Sequence, residues 1–171
     1  MRVTVVGRTY ILRVNRQKWH HLPPEVELAL ITPPRVEQIM RTHPVERSDC
    51  WPHRVAPAWN TGKLSGFMYA PWSLYSALSA QRPHLVQIDE EPASLALLEV
   101  LLLKWWLRYR TVFFTWENSE PRYSLIARIA RWLALRLADG AIAGNTEASL
   151  RLRRAGFRGA LAVIPQLGVD V

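Results

Sequence analysis

Two short polar clusters stand where apolar runs end. Arg110–Thr115 (RTVFFT) is a β-branched and aromatic run that stops at Trp116, Glu117 and Asn118, and residues 84–88 (HLVQI) stop at Asp89, Glu90 and Glu91. Carboxylates and a carboxamide accept and donate several hydrogen bonds, and an indole offers a flat face for stacking or packing. Runs of this kind read as buried strands, and open parallel sheets bind ligands in the crevice beyond the carboxyl ends of their strands. Glu117, Asn118, Trp116, Glu90, Glu91 and Asp89 are therefore the candidate binding residues. Glu117 and Asn118 stand out among them because a strand end fixes a side chain more rigidly than a loop does. The alternative for Glu90 and Glu91 is solvated loop charge, and for Trp116 a place in the core.

Other chemistries lack their residues. Gly7 is followed by Arg8 and Thr9 with no second glycine, so the G-x-G-x-x-G approach to a dinucleotide pyrophosphate is missing. The Walker phosphate loop, the paired histidines of common zinc hydrolases and the nucleophile elbow of esterases are missing too. His20, His21, His43, His53 and His84 show no metal-ligand spacing and receive no role. The lone Cys50 leaves no disulfide framework within one chain and suits a reducing cytosol. No metal and no resident cofactor are expected.

The elements that must position the clusters alternate between strand and helix. Arg2–Val6, closed by Gly7, reads as a first central strand, and residues 26–31, stopped by Pro33 and Pro34, as a second, with a short helix over 16–22 between them. Residues 35–71 are rich in Pro and Trp, with one edge strand near 53–59, and read as a candidate substrate-facing segment. A helix follows Pro71, then the strand at 84–88, then an apolar helix over 93–107 that reads as buried against the sheet, with Trp105 and Trp106 offered to a partner. Pro121 opens an amphipathic helix with Leu125, Ile129, Leu133 and Leu137 on one face and Arg128, Arg131 and Arg136 away from it. Gly140–Ala143, a helix capped by Asn145 or Thr146 and ended by Gly156, and a strand over 161–164 complete the series. This alternation predicts an α/β, Rossmann-like, three-layer domain with a mainly parallel sheet, one domain over residues 1–171.

The segments HLVQIDEEP, RTVFFTWEN, ADGAIAGNTEA and VIPQLGVD, in that order and spacing, resemble the N-terminal half of family 4 glycosyltransferases. The resemblance implies half of a GT-B fold, two facing Rossmann-like domains of which the N-terminal one receives the acceptor and the C-terminal one holds the nucleotide-sugar donor. It also implies that residues 165–171, with Gln166, Gly168 and Asp170, begin the interdomain linker. Many members of the family end the strand matching residues 112–116 in a histidine near the reacting sugar; this sequence offers Trp116, Glu117 and Asn118 instead, so no catalytic histidine is carried over. The expected partners are a sugar or lipid-linked acceptor and a donor domain on a separate chain or a self-associated copy. The chain alone is expected to transfer no sugar.

The 171 residues carry a formal charge of +8, and the arginines crowd into the last third. That balance admits nucleic acid, anionic lipid or a phosphate-bearing substrate. No zinc-finger, helix-turn-helix or RNP-type signature accompanies the arginines, which places nucleic acid last. The longest apolar run, residues 93–103, is interrupted by Glu99 and falls short of the roughly 20 residues needed to span a bilayer. Residues 1–7 read as a strand rather than a secretory segment. The expected location is the cytoplasm, with the basic helix 121–138 and the Arg151 to Arg158 cluster drawn to an anionic inner membrane face. The alternative function is a non-catalytic binding or scaffolding domain that docks a partner through this basic third.

Overall fold

The computed structural model describes residues 1–38, 41–47, 50–63, 65–116 and 123–165. Its strands are β1 (Arg2–Val6), β2 (Glu27–Thr32), β3 (Arg35–Gln38), β4 (Arg41–Pro44), β5 (His53–Val55), β6 (Ala58–Trp59), β7 (Met68–Tyr69), β8 (Leu85–Ile88), β9 (Arg110–Thr115), β10 (Gly140–Ala143) and β11 (Ala160–Val163). The helices are α1 (Pro71–Gln81), α2 (Leu95–Leu107), α3 (Leu125–Leu137) and α4 (Thr146–Arg154). Seven strands form one sheet in the order β11-β10-β9-β8-β1-β2-β5, every neighbouring pair parallel. The expected parallel Rossmann-like sheet is present.

Strand alternation divides the core in two. Val6, Ile31, Val86, Ile88, Phe113 and Ala141 point to the face that carries the helices and pack with Leu74, Leu78, Leu97, Leu101 and Ala134. Val3, Val5, Leu28 and Leu30 point to the other face and pack with Tyr10 and Trp19. Tyr10 and Trp19 come from two 3-10 segments, Arg8–Ile11 and Arg13–His21, which make the third layer beneath β1 and β2. The short helix that the sequence predicts at 16–22 is present as part of the longer 3-10 segment. Within it Arg16 is buried, and its guanidinium donates to the carbonyls of Tyr10 (2.6 Å) and Ile11 (2.9 Å), pinning the preceding turn to the segment.

The 35–71 region is more ordered into strands than its Pro content suggests. β3 and β4 form an antiparallel hairpin, β6 and β7 a second antiparallel pair, and β5 is the parallel edge strand of the main sheet. Pro44 and Pro52 sit at strand ends, where no ladder donor is needed. Pro52 instead supplies an acceptor, its carbonyl taking the Leu30 N–H at 2.8 Å.

α3 departs in part from a simple amphipathic reading: Leu137 packs against the core and Leu133 is half-buried, but Leu125 and Ile129 are exposed. Its buried residues are Ala127, Ala130, Ala134 and Leu135, and Leu125, Ile126, Ile129 and Trp132 face outward. Small alanines let α3 lie close against α2, and the large apolar side chains cannot occupy that narrow seam. Ser124 caps α3, its Oγ accepting from Ala127 N at 3.3 Å; Pro121, expected to open the helix, lies outside the described residues. Asn145 caps α4 as expected, accepting from Ala148 N at 2.8 Å.

Candidate functional site

From β1 the chain builds outward to β2 and β5, then crosses back over α1 to β8 and proceeds the other way. The reversal falls between β1 and β8, and at such a switch point the two departing loops leave a crevice beyond the carboxyl ends of the strands. Gly7 ends β1 and Asp89 ends β8, with Asp89 N donating to Val6 O at 3.1 Å. A Cβ added to Gly7 would lie 3.3 Å from Asp89 Cβ, so glycine lets the two strand ends close. A cleft of about 730 Å³ opens there, walled by Arg8, Asn15, Glu37, Arg41, His43, Thr61, Asp89, Glu90, Glu91, Phe114 and Trp116 among others.

The three consecutive acids do three different things. Asp89 is buried and accepts from the Tyr10 hydroxyl in a short hydrogen bond and from Gln87 Nε2 at 3.0 Å. Burial and the Asp89 charge push the Tyr10 hydroxyl far above its ordinary range. Glu90 is also buried and meets the Arg8 guanidinium at 3.0 Å. Arg8 donates as well to the carbonyls of Thr61 (2.8 Å) and Lys63 (2.7 Å) and lies over the Phe67 ring, so Glu90 anchors the arginine that ties the end of β1 to the β6–β7 segment. Burial pushes the Glu90 carboxyl up to about 8 against the pull of Arg8, and its Oε1 has no partner among the described residues. These two acids are thus built into the cleft floor rather than solvated.

Glu91 joins the two polar clusters. One carboxylate oxygen accepts from Thr115 Oγ1 in a short hydrogen bond, and the other accepts from Trp116 N at 2.9 Å. The carboxylate thereby locks the end of β9 to the end of β8. Trp116 is 39% exposed, and its indole lies across the backbone of Gly144 at the end of β10: a Cβ there would stand 2.6 Å from Trp116 Cε2. Trp116 is therefore a surface of the cleft wall, backed by a glycine, rather than a plug of the core.

Of the residues singled out from sequence, Asp89, Glu90, Glu91 and Trp116 line one cleft. Glu117 and Asn118, and the linker residues Gln166, Gly168 and Asp170, lie outside the described residues. Sequence reasoning passed over Arg8, Tyr10, Glu37, Arg41, His43 and Gly144. Arg8 was legible by the same strand-end rule that picked out Asp89, whereas Glu37, Arg41 and His43 arrive through a hairpin whose pairing has no local signature. Among the described residues, no group of three or more acids, histidines or cysteines could hold a metal ion.

A parallel sheet of this order with a cleft at its switch point defines a Rossmann-like α/β domain of the kind paired in GT-B enzymes. Solved structures of this fold include UDP-GlcNAc 2-epimerase of Methanocaldococcus jannaschii (11% identity, TM-score 0.57) and UDP-N-acetylglucosamine 2-epimerase of Rickettsia bellii (11% identity, TM-score 0.62). A third is HepE of Anabaena in complex with UDP-glucose (16% identity, TM-score 0.58). The matches cover 95%, 97% and 99% of this chain but 45%, 45% and 44% of those structures, so the chain spans less than half their length. No protein-family model matches the sequence, and no curated relative aligns with it.

Proposed function

We propose that this domain is the acceptor-binding side of a GT-B-type glycosyltransferase. It would present a sugar hydroxyl from the switch-point cleft to a nucleotide sugar held by a second, facing domain. The observation that carries this reading is the Glu91 lock: it sets a carboxylate and a glycine-backed indole side by side on one cleft wall. A flat apolar face beside fixed hydrogen-bond acceptors suits a pyranose ring, which is apolar on its faces and polar around its rim. Glu117 and Asn118 follow Trp116 in the chain and are proposed as further partners of the acceptor hydroxyls. The resemblance to family 4 supports transfer, and the nucleotide sugars named for structures of the same fold support that substrate class. This domain's contribution to rate is positioning, which removes orientational freedom; stabilising the departing diphosphate falls to the donor side.

Two of those structures are epimerases, which favours a second reading in which the cleft takes part in binding the nucleotide sugar itself. Calorimetric titration of the purified chain with neutral glycosides, UDP-sugars and UDP separates the two. Acceptor binding is expected for glycosides without a nucleotide, weakened about tenfold by Trp116→Ala through loss of stacking. It should be reduced also by Glu91→Gln. Binding of UDP-sugars that UDP displaces, with none of glycosides, would replace this reading by the second.

A further inference from the structure

On the helical face of the sheet, away from the cleft, large apolar side chains point into solvent. On α3, Leu125, Ile126, Ile129 and Trp132 are 50–70% exposed, and on the neighbouring α2, Trp105 and Trp106 are 66% and 72% exposed. At 100° per residue, Leu125, Ile129, Trp132 and Arg136 form a single ridge opposite the buried alanines of α3. The two helices meet at their C-terminal ends, where Lys104 Nζ donates to Leu137 O at 2.6 Å, so the two outward faces form one surface. Monomeric surfaces seldom leave so many large apolar groups together without a use.

Among the described residues, the outward charges of α2 and α3 are all basic. Arg108 and Arg128 are exposed, and the Arg136 guanidinium lies 4.4 Å from the Trp132 ring centroid. α3 contains no acidic residue, and the single acid of α2, Glu99, turns inward to accept from Tyr69 N at 2.8 Å. Asp139, just past α3, is occupied by Lys104 and Thr111 N. A second copy of the same surface would bring arginines against arginines. Anionic headgroups over acyl chains would meet both features, since tryptophan settles at the bilayer interface, Leu and Ile sink below it and arginine stems reach back to phosphates. No helix among the described residues is long and apolar enough to cross a membrane, which fits lying on a bilayer rather than spanning it.

We infer that the outward face of α2 and α3 is a docking surface for an anionic phospholipid bilayer. Ile126, Ile129 and the tryptophans enter the interface, and Arg128 and Arg136 pair with headgroup phosphates. This inference rests on the helical face alone and is independent of the cleft's ligand. Co-sedimentation of the full chain with phosphatidylglycerol–phosphatidylcholine vesicles, at low and high salt, tests it, with pure phosphatidylcholine vesicles for comparison. The chain should pellet with anionic vesicles, show a blue shift of tryptophan emission, and release as salt rises. Ile129→Gln with Trp132→Gln should abolish the shift, and Arg128→Gln and Arg136→Gln should each weaken binding about fivefold. Val14→Ser, which alters an exposed apolar residue on the opposite layer, should change nothing. Circular dichroism confirms that each variant is folded. Absence of binding, or equal salt-insensitive binding to neutral and anionic vesicles, overturns the inference. So does a dimer in gel filtration that Ile129→Gln and Trp132→Gln disperse without any vesicle binding, which would make this face a contact between copies.

Discussion

Gly144 shows how one missing Cβ shapes the cleft. The Trp116 indole occupies the volume where any other residue at 144 would place its side chain, and the β10 backbone cannot retreat because Gly144 N donates to Thr115 O at 2.9 Å. Gly144→Ala should therefore swing the indole off its seat, costing about 1–3 kcal/mol as overpacking does. It should also weaken glycoside binding as strongly as Trp116→Ala. Combining both substitutions should cost less stability than their sum, because the clash disappears with the indole. Additive losses in chemical denaturation would show that the two residues act separately.

Among the elements, α1 and α2 end without the glycine that helix termini favour. Their C-caps are Arg82 (φ 46°) and Arg108 (φ 57°), both in the left-handed region where a Cβ is strained. Burial of Leu74, Leu78, Leu97 and Leu101 outweighs that strain, each contributing about 1.5–3 kcal/mol against roughly 1 kcal/mol per cap. Arg82→Gly should accordingly raise stability by about 0.5–1 kcal/mol, seen as a higher melting temperature with an unchanged fold. The Arg82 carbonyl would still accept from Arg2 Nε. A lower melting temperature would mean that the arginine side chain matters more than the backbone conformation. α3 is the element whose buried face sequence periodicity placed only in part. Its leucine and isoleucine ridge has helical spacing, but the alanines opposite it are what fit the seam with α2.

For the molecule as a whole, buried acids set the dependence of stability on pH. Burial raises Glu90 to about 8 and Glu99 to about 7 from an ordinary 4.5, so the folded state prefers the proton that the unfolded chain gives up. Stability from these groups is full below about pH 4.5 and falls as pH rises toward 8. His53 works from the other side. Burial, then Arg16 and Arg47, lowers it from 6.5 to about 4, so stability is lost as pH falls through that window. A maximum on the acid side of neutrality is expected. Glu90→Gln, which preserves an oxygen for Arg8, should flatten the decline on the alkaline limb in denaturation curves taken at several pH values. An unchanged slope would place the titrating group elsewhere.

The features legible in the chain alone are local and periodic. β-branched runs closed by Gly or acidic residues marked the strands, Asn145 and Gly156 marked the ends of α4, and strand–helix alternation implied a parallel sheet. The same strand-end logic places Asp89, Glu90, Glu91 and Trp116 at one edge of the sheet. Tertiary structure decided what no local pattern contains. It set which strand is central, and hence where the switch point opens the cleft. Packing turned Asp89 and Glu90 inward onto Tyr10 and Arg8 and left Glu91 to bind the two strand ends together. It also brought Arg41 and His43 to the cleft wall through a hairpin. The reason is physical: hydrogen-bonded elements follow from neighbours in the chain, whereas burial and close approach depend on residues tens of positions away, as Gly144 beneath Trp116 and Glu90 beside Arg8 both show.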